Sequence, residues 1–244
     1  MSRRAFCLIA VVLLAACGQS NAGRTTLTVF AASSLKPAFD KIGQELVRRH
    51  DAVTTFSYAG TQTLTSQLIQ GAPADVFASA DASHMATLQA SGLVRESRVF
   101  AHNKLEIAVA TGNPKAIHSL ADLGRPGLVV VLADPSVPAG KYAQQALSRA
   151  GVTVHPASFE QQVTGVLSKV ALGEADAGIV YVSDVVTNGK VDGVPIQDAQ
   201  NVVADYPIAV LTDAQNSSGA KQFFDLALSA DGQAILKSAG FEGV

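Results

Sequence analysis

The sequence predicts an α/β protein made of two lobes. Short apolar segments, typical of buried strands, alternate along the chain with segments whose apolar residues recur at helical spacing. This alternation indicates mainly parallel sheets with helices on their faces. The chain has 244 residues, of which 48% are hydrophobic and none is Trp. That length allows one large or two modest domains, with a core made mostly of aliphatic side chains.

The N-terminus predicts an exported lipoprotein. Arg3 and Arg4 precede an apolar run of about a dozen residues, which is too short to span a bilayer and fits the centre of a signal peptide. We therefore expect residues 1–16 to be the signal peptide. The sequence LAACG around Cys17 resembles a bacterial lipobox, which predicts a lipidated Cys17, although a plain Ala-rich cleavage site is the alternative. Residues 17–25 would then be a flexible tether to the outer face of the cytoplasmic membrane, in the periplasm or its equivalent.

The first lobe is predicted to take residues 26–103 and 207–244. Its first helix has Leu35, Phe39, Ile42 and Leu46 on one face, and Ser33 or Ser34 is a natural N-cap for it. Predicted strands cover residues 26–30, 53–58, 75–79 and 207–212, and predicted helices cover 35–50, 81–91, 219–229 and 231–240. A further helix is predicted to follow residues 59–63 and to run through Leu64, Leu68 and Ile69 until Gly71 ends it.

The second lobe is predicted to take residues 104–206, so that the chain crosses twice between lobes. Polar residues 101–104 are interpreted as the connection that leads into it. Predicted strands cover residues 105–111, 128–133 and 178–183, and predicted helices cover 117–123, 141–150 and 159–173.

Four loops precede or open predicted helices, at residues 31–34, 59–61, 137–140 and 160–164. Ligands of open α/β sheets bind at the edge where strands end and helices begin, so these loops should face one cleft. Helix N-termini offer free backbone N–H groups and a partial positive charge, and Tyr181 would add a phenol at the end of its strand. Such a donor-rich site suits a fully deprotonated oxyanion.

Each of these features also has a simpler interpretation. Thr61 could serve only as a helix cap, residues 137–140 could form a plain turn, and Tyr181 could be a core residue with a backbone partner. The carboxylates of Asp75, Asp81 and Asp184 are interpreted as caps and turn residues, because a carboxylate would repel a bound anion.

Four motifs carry a resemblance to a known family. They are TVFAASSL at residues 28–35, GAPADVFASAD at 71–81, VPAG at 137–140 and GIVYVSD at 178–184. In this order and spacing, the chain resembles the periplasmic molybdate-binding proteins of molybdate ABC importers. The resemblance implies the type II periplasmic-binding fold, with two lobes, a two-strand hinge and the ligand in the cleft. It also implies an oxyanion site made of the Ser34, Thr61 and Tyr181 hydroxyls and the backbone N–H groups of Ala139 and Val163.

The expected function is binding and delivery rather than catalysis. The resemblance implies capture of molybdate, and of tungstate too, with a membrane permease of an ABC transporter as partner and a monomeric protein. Sulfate, another tetrahedral oxyanion, is the alternative ligand. A hydrolase would need a nucleophile–base pair, and nothing in the spacing of Ser33 or Ser34 from His102 or His155 supports one.

No cofactor is expected, and the only metal is the molybdenum of the bound oxyanion, without direct protein ligands. The five His residues have no metal-ligand spacing. The formal net charge of −2 and the absence of a basic stripe argue against a nucleic-acid partner.

Overall fold

The computed structural model describes residues 26–50 and 53–244. The predicted signal peptide, the predicted lipidation site Cys17 and the predicted tether lie outside the described residues. Within these ranges, every helix is too short or too polar to cross a bilayer.

The described chain forms nine strands and eight α-helices. The strands are β1 Thr26–Ala32, β2 Val53–Ala59, β3 Val76–Ala78, β4 Arg98–Ala110, β5 Val130–Ala133, β6 Ser158–Glu160, β7 Ala177–Tyr181, β8 Val191–Pro195 and β9 Val203–Val210. The α-helices are α1 Lys36–His50, α2 Thr61–Ile69, α3 Ala82–Ala90, α4 Pro138–Ala150, α5 Val163–Ala171, α6 Val182–Asn188, α7 Ser217–Leu228 and α8 Ala230–Ser238. Short 3₁₀ turns cover Ser33–Leu35 and Leu120–Gly124.

Two sheets are joined through the long strand β4, which gives two α/β lobes. The first sheet has the order β2-β1-β3-β9-β4, and the second continues β4-β7-β5-β6 with β8 on the other side of β4. Strand β4 pairs with β9 up to Lys104 and with β7 from Leu105 onward. The partner therefore changes at the point where the sequence predicts the lobe boundary, while the full set of predicted boundaries stays a prediction.

The pairing is parallel away from this junction and antiparallel at it. Strands β1 and β2, β1 and β3, β5 and β6, and β5 and β7 pair in parallel. Every antiparallel pair among the described strands includes β4 or β9. The expectation of mainly parallel sheets therefore holds for the body of each lobe. The strands β4 and β9, at the junction of the lobes, pair with their neighbours in antiparallel orientation.

Helices α7 and α8 return to the first lobe, as the sequence predicts. The ring of Phe223 in α7 meets Phe39 of α1 edge-on, with centroids 5.1 Å apart. Phe56 of β2 and Phe100 of β4 complete this aromatic cluster. The packing of α7 on α1 explains how the C-terminal segment stabilises a lobe formed mainly by the N-terminal one.

Three local predictions are wrong. The predicted connection at residues 101–104 belongs to β4, whose backbone pairs there with β9. The predicted helix at 159–173 begins only at Val163, because Phe159 pairs with Leu132 in a parallel ladder. Helix α4 begins at Pro138 rather than at residue 141, since proline is tolerated at the first helical position.

Two elements are missing from the sequence prediction. Helix α6 follows β7 immediately, where the apolar run had been extended through Ser183 as strand. Strand β8 pairs with the outer part of β4 and completes the second sheet.

Candidate anion-binding site

One cavity lies where the four predicted loops meet. The five residues predicted for the site all line it: Ser34, Thr61, Ala139, Val163 and Tyr181. The space open to the centre of a water molecule is about 10 Å³, so the cavity fits only a very small ligand. The remaining lining residues are Ala32, Ser33, Ala59, Gly60, Ala80, Val137 and Pro138.

The helices that open onto the cavity lack side-chain caps. Their N-cap positions are occupied by Ala32, Gly60, Val137 and Gln162, and none of these makes a side-chain capping hydrogen bond. Ser33 and Ser34 lie inside the first turn, so the predicted N-cap role for them is wrong.

Other helices of the described chain are capped by side chains. Asp81 caps α3, Asn216 caps α7 and Ser229 caps α8. The first-turn N–H groups of Ala139 and Val163 have no acceptor among the described residues. Uncapped first turns that face one cavity form a site for an anion.

Thr61 presents a hydroxyl whose proton can be donated toward the cavity. Its Oγ1 atom accepts a hydrogen bond from the backbone N–H of Ala80 at 3.2 Å. The hydroxyl proton makes no hydrogen bond within the described chain, and the side chain is 1% exposed. Thr61 is therefore the first residue of α2 rather than its cap, and its proton is available to a ligand.

Ser34 lies at the same edge of the cavity with its hydroxyl already engaged. Its Oγ atom is 3.0 Å from the hydroxyl of Tyr206, and either oxygen could be the donor. Both side chains are buried. The Ser34 hydroxyl can therefore donate a hydrogen bond to a ligand while its oxygen accepts one from Tyr206.

The hydroxyl of Tyr181 is buried without a hydrogen-bond partner among residues 26–50 and 53–244. Only 1% of the residue is exposed. Burial raises the pKa of this phenol well above its ordinary value, and the neighbouring Tyr206, Tyr142 and Asp184 add to the rise. The group therefore stays protonated and remains a donor. A core tyrosine with a backbone partner is excluded, since the hydroxyl has none in the described chain.

The walls of the cavity carry no charged side chain, as far as the described residues form them. Asp81 accepts from the backbone N–H of His84 and caps α3, whereas Asp75 accepts from the backbone N–H of Thr28 in β1 and from that of Asn216. Asp184 accepts the backbone N–H of Tyr181 at 3.0 Å and opens α6. Burial raises the pKa of Asp184 to about 7, against the effect of this hydrogen bond. Asp81 and Asp184 thus act at helix starts, as predicted, whereas Asp75 links β1 to the start of α7 and is neither a cap nor a turn residue.

The two lobes touch around the cavity. The side-chain amide of Gln62 donates to the carbonyl of Gln161 at 2.8 Å, and Lys141 donates to the Ser83 hydroxyl at 3.3 Å. A Cβ atom at Gly60 would lie 2.4 Å from the Gln161 carbonyl oxygen. The absence of a side chain at Gly60 therefore permits this close approach of the lobes.

Sequence reasoning missed Tyr206, which supports the site without lining it. Its sequence signal is alternation with Ala204 and Ile208 along β9, whose first residues lie before the predicted strand at 207–212. Ala80 was also missed as part of the wall, whereas Gly60 lies in one of the predicted loops. Within the described ranges, no group of three or more His, Cys, Asp and Glu side chains could hold a metal ion.

Comparison with known proteins assigns the family. The model of the bacterial extracellular solute-binding proteins matches residues 27–242. The chain belongs to this family. A solute-binding protein of this kind is not an enzyme.

The chain is similar to one named relative in sequence and to two solved structures. The molybdate-binding protein ModA of Mycobacterium tuberculosis is 42% identical over 240 residues, which cover 93% of this chain and 92% of the relative. The periplasmic molybdate-binding protein of Azotobacter vinelandii superposes with a TM-score of 0.79 at 20% identity, over 88% of this chain and 98% of that one. The sulfate-binding protein SubI of M. tuberculosis gives 0.82 at 19% identity, over 90% and 87%. At these identities the two structures show the fold alone.

Proposed function

We propose that this protein captures molybdate outside the cytoplasm and delivers it to an ABC importer. The observation that carries the proposal is a small cavity on which uncapped helix N-termini and buried hydroxyls converge, and whose described lining residues carry no charge. The 42% identical relative named as a molybdate-binding protein supports the choice of oxyanion. Tungstate, with the same charge and shape, is expected to bind as well.

The ligand would be held by five donors. They are the hydroxyls of Ser34, Thr61 and Tyr181 and the backbone N–H groups of Ala139 and Val163. A dianion with four oxygens has only acceptor sites, so each donor can make a charge-assisted hydrogen bond. A singly protonated anion such as hydrogen phosphate also needs an acceptor for its proton, and the described residues that line the cavity include no carboxylate to supply one.

Binding would be coupled to closure of the lobes. Ser34 and Thr61 follow strands β1 and β2 of the first sheet, whereas Ala139 and Val163 follow strands β5 and β6 of the second and Tyr181 ends its strand β7. Only a closed form brings both sets within reach of one anion, so the anion shifts the population toward it. The closed form would dock on the permease. Lipidation of Cys17, attachment to the membrane and a monomeric state remain parts of this proposal.

A thermal-melt series tests the ligand. Protein lacking residues 1–17 is heated with molybdate, tungstate, sulfate or phosphate at equal concentration. A ligand at a thousandfold its Kd stabilises the folded state by about 4 kcal/mol. A rise with molybdate and tungstate supports the proposal. A rise with sulfate alone keeps the site and changes the ligand, and no rise with any of the four overturns the proposal.

A further inference from the structure

Tyr206 lies in β9, next to β4 and between the two lobes. It pairs with Ala101 in the antiparallel ladder of these two strands, and none of its surface is exposed. Its ring meets Tyr181 edge-on with centroids 5.8 Å apart, and it meets Phe241 in the same way at 5.3 Å. Tyr206 is therefore fixed by packing on both sides and has little freedom to reorient.

The phenol of Tyr206 makes one polar contact toward the cavity, at 3.0 Å from Ser34 Oγ. The contact joins residues 172 positions apart, from β9 to the turn that opens α1. A serine hydroxyl has one proton and two acceptor positions. When an anion occupies the cavity, the Ser34 proton goes to the anion, because a charge-assisted bond is about twice as strong as a neutral one. Tyr206 must then be the donor.

A second polar residue on the hinge favours the same direction. Asn103 lies on the same face of β4 as Ala101, two ladder pairs from Tyr206, and is buried. Its amide donates to Ser183 Oγ of α6 at 2.8 Å. Burial raises the pKa of the Tyr206 phenol, and hydrogen bonding with Ser34, Asn103 and Tyr181 opposes the rise. The phenol keeps its proton, and among the described residues Ser34 Oγ is the one atom within hydrogen-bonding distance of the phenol oxygen.

We propose that Tyr206 is a positioning residue that acts through Ser34. Its phenol occupies the acceptor side of the Ser34 hydroxyl and holds the serine proton toward the bound anion. The inference rests on the proposed function, since it assumes an anion at Ser34. Through Tyr206, strand β9 contributes to ligand recognition, although no atom of this residue lines the cavity.

The test is a double-mutant cycle read by calorimetric titration with molybdate. The four proteins are the wild type, Tyr206→Phe, Ser34→Ala and the double variant. In the wild-type background, Tyr206→Phe is expected to weaken binding by about three- to tenfold, the effect of one lost neutral hydrogen bond. In the Ser34→Ala background the same change is expected to alter Kd less than twofold, since contacting residues are not additive.

Two outcomes would overturn the role of Tyr206. Equal weakening in both backgrounds would mean that it acts through packing of the hinge, and unchanged binding in the wild-type background would mean that it has no role in positioning. Tyr58→Phe is the matched control, because the Tyr58 hydroxyl donates a hydrogen bond of 2.8 Å to Asp40 and does not line the cavity. It should leave Kd unchanged. A wild type that binds no molybdate would instead overturn the proposed function, which separates the two failures.

Discussion

Replacing Tyr181 by Phe should stabilise the empty protein. A buried hydroxyl without a partner costs about 1–3 kcal/mol of desolvation, and the substitution removes that hydroxyl while keeping the ring. For a chain of this size, 1 kcal/mol corresponds to roughly 2–4 °C in melting temperature. The empty Tyr181→Phe variant is therefore expected to melt about 2–12 °C above the wild type.

The same substitution should weaken the binding of molybdate. A hydrogen bond to a charged group contributes about 1.5–3 kcal/mol, which corresponds to a rise in Kd of roughly ten- to 150-fold. Stability of the empty protein and affinity thus change in opposite directions. If the Tyr181 hydroxyl served only the core, the substitution would instead lower the stability of the protein and leave its affinity for molybdate unchanged.

Melting curves with and without molybdate measure both effects. At a concentration a thousandfold above the wild-type Kd, the ligand stabilises the wild type by about 4 kcal/mol. A variant whose Kd is thirtyfold higher is stabilised by only about 2 kcal/mol at that concentration. Calorimetric titration gives Kd directly. A lower melting temperature for empty Tyr181→Phe, together with an unchanged Kd, would refute the assignment of this hydroxyl to the site.

Three further predictions follow from the same contacts. Thr61→Val should raise the Kd for molybdate at least about tenfold by titration, whereas Thr61→Ser, which keeps the hydroxyl, should stay within about threefold; equal effects would exclude donation by this hydroxyl. Gly60→Ala places a Cβ against the carbonyl of Gln161, so the molybdate-bound variant should stay more expanded in small-angle scattering and bind more weakly, and a compact variant of normal affinity would contradict this. The pKa of Asp184 is raised to about 7, so the stability linked to this group is complete below pH 4 and is lost as the pH rises through 7. In urea unfolding, the free energy of unfolding of Asp184→Asn should therefore rise relative to that of the wild type by up to about 4 kcal/mol between pH 4 and 8. A difference between the two proteins that does not change with pH would argue against a raised pKa.

The elements and loops of the site were predictable because their signals are local. The spacing of Leu35, Phe39 and Ile42 predicts α1, and the loops that begin α2 and α4 are visible as breaks after apolar runs. The N-cap at Ser33 or Ser34 was predicted wrongly. A serine at a helix start is usually a cap, but here Tyr206 competes for the Ser34 hydroxyl.

Contacts between distant parts of the chain could not be predicted. Phe159 has a helical pattern around it, yet pairing with Leu132 makes it part of a strand. Tyr206 meets Ser34 only because β9 lies between β3 and β4 in the sheet, and no local pattern fixes that order. Helix α6 is different, since Asp184 supplies a local start signal that pattern reading overlooked.

The absence of charge from the cavity walls has a consequence for kinetics. A protein with a formal net charge of −2 does not steer an anion toward itself, and neutral donors add no long-range attraction. The association rate should therefore be ordinary and depend little on ionic strength. Tight binding must then come from slow dissociation, so the residence time of the anion is set by how often the lobes open. Release of the anion then requires a transport partner that opens the lobes.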